Sequence, residues 1–578
     1  MTHIYESTVP IFMRDGAQLS ASIFRPTEGT APTLLLRTRY SVHGPGHAGT
    51  LGDGFPGLTT LLDAGYAVVW VETRGTFSSE GDPTAKINEP NDGYDTVEWI
   101  VSQPWSDGKV GTYGRSYDGM TQWATATQGH PAIAAAVPQE TAMDWYKGVW
   151  YHTGGALSLA GVTNWHAVQY LGAEMRETND LGQIQELTSA ILLSGLSLYD
   201  HTPISTHPQL PAGRWLDDIL AHPTHDDFWA EQDFTASIAK MTHPVLSISG
   251  WFDVFMAEQL RDFEKYRVSA GSTEARENSR LIVGPWEHDS NFSGRFPDRN
   301  FGPKGTGAFA NITGEYLEHF NRWLRPGKTQ PEKHARVKLF VMGIDEWREE
   351  EDWPLPGTRY TELYLSSGTA QGDGEGGQTV RQLSVSAPTS STAETFTYDP
   401  CDPVSTAGGA HLLFGHTGPV DQRVNDDRAD VLSFTGPVLE HDVEVIGYVS
   451  ATLFVTSDTL DTDFTAKLID VFPDGRAFNL CEGILRMRYR RSLEEPELMT
   501  PGQEYEVTID MAATANVFLA GHRIRVDISS SDFPRFDRNT NTGNNINEEG
   551  LEQAVVAHNV ILTGPDHPSR ISLPIIER

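Results

Sequence analysis

A serine lies in the glycine-rich segment 114–119 (GRSYDG), between a short apolar run and a stretch compatible with a helix. A serine at a sharp strand-to-helix turn has strained backbone angles, and its Oγ is exposed at the carboxyl edge of a sheet. The N–H of the next residue, Tyr117, then points towards a developing oxyanion. The pattern predicts that Ser116 is a nucleophile, although the second glycine comes one residue later than in G-x-S-x-G. A solvated serine in a glycine-rich turn is the alternative.

Two polar residues follow later apolar runs in the same way. Asp253 ends the segment 249–253 (SGWFD), and His288 ends the segment 284–288 (GPWEH). Each comes just after a predicted strand, and the carboxyl ends of strands are where sites assemble in open α/β sheets. The order serine, aspartate, histidine is that of the catalytic triad of α/β-hydrolases. Taken singly, Asp253 is also explained as a helix N-cap and His288 as a surface-loop histidine.

A triad needs a second donor for the oxyanion, and Tyr40 is the candidate. Tyr40 comes just after the predicted strand 33–38 (TLLLRT). Its phenolic O–H could reach across to the carbonyl carbon held at Ser116, but position alone favours an ordinary half-buried tyrosine. The segment around His43 is not an HGGG oxyanion loop.

The elements that must position these residues alternate between strands and helices up to about residue 145. Apolar runs predict strands at 66–72 (YAVVWVE), 109–113, 244–249 and 281–284. The segment 91–101 predicts a helix capped by Asn91 or Asp92, and 311–324 predicts a long amphipathic helix. Alternation of this kind predicts an α/β fold with a mostly parallel sheet.

The chain changes character twice after that. Residues 145–240 are rich in aromatic side chains within helix-like stretches, which indicates a helical insertion. From about Val337 onward the sequence is almost all short strands separated by turns, which predicts a β-sandwich or jelly roll.

Composition excludes several classes of partner. The 578 residues carry 43 Lys and Arg against 78 Asp and Glu, a net charge of −35, which argues against nucleic acid and anionic membrane surfaces. Two cysteines exclude a disulfide scaffold and a cysteine-rich metal domain. The amino-terminal sequence lacks a signal-peptide pattern, and no apolar run approaches the ~18 residues of a membrane span. We therefore expect a cytoplasmic protein with no membrane partner, and leave homo-oligomerisation open.

Further motifs extend nearly from end to end of the chain: 37–40 (RTRY), 74–81 (RGTFSSEG), 98–105 (EWIVSQPW), 463–468 (DFTAKL), 474–476 (DGR), 483–486 (GILR) and 529–538 (SSSDFPRFDR). With the segments described above, they make the chain resemble the cocaine esterase and X-Pro dipeptidyl-peptidase family of serine hydrolases, also called CocE/NonD hydrolases. The resemblance implies an α/β-hydrolase domain in two parts (1–144 and 241–352), a helical cap (145–240) and a jelly-roll domain (353–578).

The resemblance also implies a role for each site residue. Ser116 is expected to be the nucleophile, His288 the general base and then acid, and Asp253 the residue that orients His288. Tyr40 and the Tyr117 N–H are expected to form the oxyanion hole. No metal or organic cofactor is expected.

The substrate is less determined than the reaction. Related α-amino-acid ester hydrolases are expected to hold the substrate ammonium with acids close behind the catalytic aspartate, whereas here the nearest is Glu258. We therefore predict a carboxylesterase that takes small-molecule esters with an apolar or aromatic acyl group. A peptidase or amidase on the same triad is the first alternative, and a carbohydrate-binding protein with a degenerate hydrolase domain is the second. The side chains predicted to line the acyl pocket are Trp150, Trp165, Phe255, Leu413 and Phe414.

Overall fold

The computed structural model of the protein describes residues 3–40, 56–83, 88–167, 195–208, 210, 214–288, 292–325, 334–369, 379–413 and 416–578. Phe414, one of the predicted pocket residues, lies outside these ranges. Two sheets account for all the named strands within them, one in each half of the chain.

The first sheet contains ten strands in the described ranges and has the order β1-β2-β4-β3-β5-β6-β7-β8-β9-β10. Strands β3 to β9 run parallel, while β1, β2 and β10 pair antiparallel at the two edges. The strands are β1 (His3–Phe12), β2 (Gln18–Pro26), β3 (Ala31–Thr38), β4 (Ala67–Glu72), β5 (Ser106–Arg115), β6 (Ile133–Gln139), β7 (Leu246–Gly250), β8 (Arg280–Gly284), β9 (Val337–Val341) and β10 (Glu346–Glu350).

Helices surround this sheet and fill the segment between β6 and β7. Helix α9 shows why they pack: Ile312, Tyr316, Phe320 and Leu324 recur every fourth residue and are buried as one stripe. The α-helices in the described ranges are α1 (Leu58–Asp63), α2 (Glu89–Val101), α3 (Tyr117–Ala126), α4 (Leu159–Trp165), α5 (Arg214–Ala221), α6 (Asp227–Ala230), α7 (Met256–Ser269), α8 (Thr273–Asn278) and α9 (Ile312–Leu324).

The second half is built of strands. Its sheet has the order β13-β20-β15-β21-β11-β12-β14-β19-β16-β17, with β18 paired to β15. The strands are β11 (Arg359–Thr369), β12 (Thr379–Ser384), β13 (Thr392–Tyr398), β14 (Leu432–Thr435), β15 (Val443–Ser457), β16 (Asp463–Val471), β17 (Ala477–Arg486), β18 (Tyr505–Phe518), β19 (Arg523–Ser529), β20 (Ala557–Thr563) and β21 (Arg570–Ile576). On β15 buried and half-buried residues alternate, as expected for a strand with one face on a core.

The predicted fold class is confirmed: an α/β hydrolase fold is followed by a region rich in β-strands. Helices α4, α5 and α6 lie between β6 and β7, and β9 and β10 belong to the first sheet. The domain boundaries and the jelly-roll arrangement stay predictions.

Two local expectations about helix starts are wrong. Helix α2 begins at Glu89 with Asn88 as its N-cap, rather than being capped by Asn91 or Asp92. Pro90 lies in its first turn, where its missing N–H costs no helical hydrogen bond. The alternative that Asp253 caps the following helix is also wrong, because α7 begins at Met256 and its N-cap is Phe255.

Candidate active site

Ser116 lies at the sharp turn between β5 and α3. Its backbone has φ 60° and ψ −122°, a left-handed φ that a non-glycine residue rarely adopts and that stores strain. Its N–H donates to the carbonyl oxygens of Gln139 (3.0 Å) and Glu140 (3.1 Å) at the end of β6. Its carbonyl oxygen accepts from the N–H of Met120 (2.9 Å) and so begins the helix. The strained angles are therefore held by hydrogen bonds on both sides.

The two glycines of the elbow are required by close packing. A Cβ on Gly114 would lie 2.5 Å from the Cβ of Asp118, and Gly114 has φ +147°. A Cβ on Gly119 would lie 2.5 Å from Cγ2 of Thr141, in the segment that follows β6. Gly119, the shifted second glycine, thus allows α3 to pack closely against the chain after β6. Asp118 occupies the position that G-x-S-x-G gives to glycine.

Asp253 and His288 form a buried pair at the same edge of the sheet. The Nδ1 atom of His288 and Oδ2 of Asp253 are 2.6 Å apart. The other oxygen of Asp253, Oδ1, accepts from the N–H of Phe255 at 2.8 Å. Asp253 is 1% exposed and His288 8% exposed. A carboxylate held this way fixes the ring orientation and favours a proton on Nδ1, which leaves Nε2 for proton transfer.

Backbone contacts between neighbouring strands bring the pair together. Strands β7 and β8 end side by side at Gly250 and Gly284. Beyond them, the N–H of Trp251 donates to the Gly284 carbonyl and that of Phe252 to the Trp286 carbonyl, both at 2.9 Å. A Cβ on Gly250 would lie 2.4 Å from the Trp286 oxygen, so only glycine allows this approach.

Tyr40 is positioned beside Ser116 by the end of β3. Its N–H donates to Oγ1 of Thr38 at 3.0 Å. Burial and the nearby Asp118 charge raise the pKa of the Tyr40 phenol to about 12, and hydrogen bonds with Trp165 and Ser116 act in the opposite direction. The structure therefore places the Tyr40 hydroxyl beside the serine, and its role in an oxyanion hole stays a prediction. A phenol with such a pKa keeps its proton at neutral pH and can donate to an oxyanion.

Tyr117 is fixed through its side chain. Its hydroxyl donates to Oε1 of Glu89 at 2.7 Å, and Glu89 is paired with Arg37 at 2.7 Å, all within the protein interior. Tyr117 is the first residue of α3, so its N–H lies at the positive amino end of the helix dipole. The amide is thus held at the turn that carries Ser116.

Aromatic rings extend from the elbow to His288. The rings of Tyr117 and Trp165 stack at 6.1 Å, Trp145 contacts Tyr117 at 5.8 Å and Phe255 at 6.0 Å, and Phe255 lies 5.6 Å from the His288 ring. We call Tyr117, Trp145, Trp165 and Phe255 the aromatic wall. Trp165 is half-buried, whereas the other three are buried.

The remaining predicted pocket residues lie further back. Trp150 is 1% exposed and packs against Trp145, Trp165 and Trp215 at 5.2–5.8 Å. Leu413 is 5% exposed and belongs to the same apolar cluster. Trp150 packs directly against two rings of the wall, and the contact of Trp150 and Leu413 with a substrate stays a prediction.

The structure adds Glu140, a residue that sequence reasoning missed. It follows β6 directly, is fully buried and has φ 45°. One of its carboxylate oxygens, one of Asp253 and a ring nitrogen of His288 all lie within 4.8 Å of one another. The available signal was its place after a strand of the same sheet, but β6 (IAAAVPQ) is alanine-rich and contains Pro138, so it was not recognised as a strand.

Serine after β5, acid after β7 and histidine after β8 at one edge of a mostly parallel sheet define the class as an α/β-hydrolase. Residues 15–290 match the family profile of X-Pro dipeptidyl-peptidase (S15 family). Residues 330–572 match that of the X-Pro dipeptidyl-peptidase C-terminal non-catalytic domain. The chain belongs to this family of serine hydrolases, and the predicted family is confirmed.

Individual relatives cover almost the whole chain. A cocaine esterase of Rhodococcus sp. (strain MB1 Bresler) is 44% identical over 99% of this chain and 98% of its own. An α-amino acid ester hydrolase structure is 25% identical with a TM-score of 0.82, over 99% of this chain and 97% of its own. A CocE/NonD family hydrolase from Staphylococcus aureus shares the fold, with 21% identity and a TM-score of 0.69 over 100% and 94% of the two chains.

One further observation concerns membranes. Among the helices in the described ranges, none combines the length and apolar character that a membrane span requires.

Proposed function

We propose that the protein is a carboxylesterase that cleaves small-molecule esters through an acyl-enzyme on Ser116. The observation that carries this proposal is the buried 2.6 Å hydrogen bond between His288 and Asp253, at the sheet edge where Ser116 has a strained φ of 60°. A nucleophile, a base and an orienting acid in this order are the parts that acyl transfer needs. The esterase relative at 44% identity supports the same reaction.

The geometry suggests the following sequence of steps. His288 accepts the Ser116 proton as Oγ attacks the ester carbonyl, and Asp253 stabilises the imidazolium that forms. The Tyr40 hydroxyl and the Tyr117 N–H donate to the tetrahedral oxyanion. His288 then gives the proton to the alcohol that leaves, and a water molecule repeats the sequence on the acyl-enzyme.

The surroundings of the site favour an apolar or aromatic acyl group. The aromatic wall offers ring faces and edges beside both Ser116 and His288, and such surfaces favour apolar ligands.

Glu258, the nearest acid after Asp253 in the sequence, forms an ion pair with Arg261, which also binds Asp510. With its charge matched by a guanidinium, Glu258 is poorly suited to hold a substrate ammonium, which counts against α-amino esters.

A paired rate assay tests the proposal. Wild type, Ser116→Ala and the control Ser102→Ala are compared on p-nitrophenyl butyrate, an aryl benzoate ester and Ala-Pro-p-nitroanilide. Ser102 is an exposed serine at the end of α2, so its replacement should leave all rates unchanged. We expect ester turnover in wild type that falls by at least ~10³-fold in Ser116→Ala, with no anilide cleavage.

The anilide distinguishes the alternative that the family profile names. Cleavage of Ala-Pro-p-nitroanilide at a rate comparable to the esters would make the protein a proline-directed peptidase. Ester turnover that survives in Ser116→Ala would show that Ser116 is not the nucleophile.

A further inference from the structure

Glu140 places a second carboxylate beside the Asp253–His288 pair. The three side chains come from three adjacent strand ends, since Glu140 follows β6, Asp253 follows β7 and His288 follows β8. One polar atom of each lies within 4.8 Å of the other two. Two buried carboxylates so close together repel each other unless positive charge lies between or beside them. The cation that forms beside them in the reaction is the protonated His288.

The surrounding charges fit this arrangement. From β5, Nε of Arg115 approaches Oε2 of Glu140 at 3.7 Å. From α9, the Tyr316 hydroxyl donates to the neighbouring Gln139 at 2.7 Å, and its pKa lies well above the usual value because of burial, with the Tyr113 phenol and the Glu140 charge adding to the shift. On the Ser116 side lie Asp118, Tyr40 and the Arg39 guanidinium. Arg115 is thus a permanent cation beside Glu140, and His288 is a cation that appears during turnover.

The backbone of Glu140 shows that its position is fixed. Its carbonyl oxygen accepts from the Ser116 N–H at 3.1 Å, and its own N–H donates to the Ile248 carbonyl at 2.8 Å. Its φ of 45° is left-handed and is uncommon for a residue with a side chain. The backbone of Glu140 is thus held in a strained conformation, with its carboxylate close to both Arg115 and the histidine pair.

We propose that Glu140 is a positioning residue that shares with Asp253 the stabilisation of the protonated His288. The inference rests on the proposed function of the same site. Asp253 alone bonds Nδ1 and sets the ring orientation, whereas Glu140 contributes charge at a slightly greater distance. Two consequences follow: Glu140 makes His288 easier to protonate, and it supports the histidine when Asp253 is neutralised.

The first test is the pH dependence of kcat/KM for ester hydrolysis by wild type and Glu140→Gln. His288 acts as a base only when neutral, so activity is lost as pH falls and the ring gains a proton. Removing a nearby negative charge disfavours that proton, so we expect the acid limb to move to lower pH by about half a pH unit or more. The rate at which a fluorophosphonate labels Ser116 across the same pH range gives a readout independent of turnover and should show the same displacement.

The second test is a double-mutant cycle with Asp253→Asn. When Asp253 is present, we expect Glu140→Gln to lower kcat by about 3–10-fold. In the Asp253→Asn background, the same change should cause a fold-loss of kcat that is at least ten times larger. Glu315→Gln is the matched control, because Glu315 is also a buried acid. It pairs with Lys338 and with Arg280, which begins β8 at the end opposite to His288. The control substitution should lower stability without moving the acid limb.

The outcomes separate the two proposals. An unmoved acid limb in folded Glu140→Gln, or an equal loss in both backgrounds, would overturn the role of Glu140 while leaving the esterase intact. If Glu140→Gln does not fold, Glu140→Asp keeps the charge but shortens the side chain, and a smaller displacement in the same direction is then required. Ser116→Ala runs in parallel, because ester turnover that survives it defeats the proposed function and with it this inference.

Discussion

At the scale of single residues, the chemistry proposed for Tyr40 can be tested directly by the pH dependence of ester turnover. Its hydroxyl is hydrogen-bonded with Ser116, and burial raises its pKa to about 12. The donor is lost only when the phenol ionises, that is, as pH rises towards that value. Between pH 7 and pH 10 the Tyr40 proton therefore imposes no alkaline limit on ester turnover, which a kcat profile corrected for spontaneous hydrolysis would reveal.

Removing that hydroxyl should affect the transition state rather than substrate binding. Tyr40→Phe keeps the ring packed against the apolar cluster that includes the buried rings of the aromatic wall. It removes one of the two proposed donors to the oxyanion, so that only the Tyr117 N–H remains. We expect kcat to fall by about 10²–10³-fold with KM little changed, as for other oxyanion donors. Tyr5→Phe, which changes an exposed tyrosine on β1, is the control. A kcat within threefold of wild type would remove Tyr40 from the oxyanion hole.

Residues that follow a recognisable strand could be predicted from the sequence. Asp253 and His288 come after short runs rich in apolar residues, and the structure pairs them at 2.6 Å. Tyr40 also follows such a run, but only the family resemblance distinguished it from a packing tyrosine. Glu140 was missed because its strand is built of alanine, which carries little β-propensity. A site residue could thus be predicted from the sequence only where the strand before it could be recognised.

At the scale of elements, Trp165 of the aromatic wall differs from Trp150, which packs against it. Trp165 is half-buried beside Tyr117, whereas Trp150 is 1% exposed and lies 5.2 Å from the Trp165 ring. A tryptophan removed from a packed core leaves a cavity and typically costs about 3–5 kcal/mol. The two positions should therefore respond differently to truncation.

We expect Trp150→Ala to lower the free energy of unfolding by about 3–5 kcal/mol. Trp165→Ala should instead raise KM for an aryl benzoate more than for p-nitrophenyl acetate, with a smaller loss of stability. Trp99→Ala removes a half-buried tryptophan of α2 that packs against Trp105, and it should change neither KM. Equal effects of Trp165→Ala on both esters would show that this ring does not contact the acyl group.

Element boundaries were less predictable than element types. Helix α2 begins two residues before the predicted start, because Pro90 can occupy its first turn without loss of a hydrogen bond. In the second half, which the sequence predicts to consist of short strands, β18 is long and extends from Tyr505 to Phe518. Its register with β15 shifts between Tyr448 and Ser450, and such an irregularity interrupts the alternation on which prediction relies.

At the scale of the whole molecule, the two halves share one interior. A single apolar cluster includes side chains of β8, β9 and the strands β15 to β19. Main-chain hydrogen bonds join the halves as well, with Met342 N–H donating to the Ala515 carbonyl and Val517 N–H to the Met342 carbonyl, both at 2.9 Å. The sequence separates the halves by composition but gives no sign of these contacts, since they join residues more than 170 positions apart.

A buried ion network ties the second half to the helical segment. Arg486 pairs with Asp463 at 2.9 Å and Asp537 at 2.7 Å, and all three are nearly or fully buried. Asp537 also accepts from the Leu157 N–H at 3.0 Å, and the Arg486 N–H donates to the Gly154 carbonyl at 3.0 Å. The network therefore holds the chain before α4 against β17, and through it the elements that carry the aromatic wall.

Arg486→Met would leave two carboxylates without their guanidinium in the interior. Loss of one partner of a buried ion pair usually costs about 3–5 kcal/mol, because the remaining charge is not compensated. Arg359→Ala, which removes an exposed pair with Glu577, should change stability little.

Calorimetry tests whether the same network couples the two halves. We expect wild type to unfold in one transition, and Arg486→Met to unfold in two, one for the β-rich half and one for the hydrolase half. A single transition that moves only in temperature would mean that the shared apolar cluster, rather than the ion network, couples the two halves.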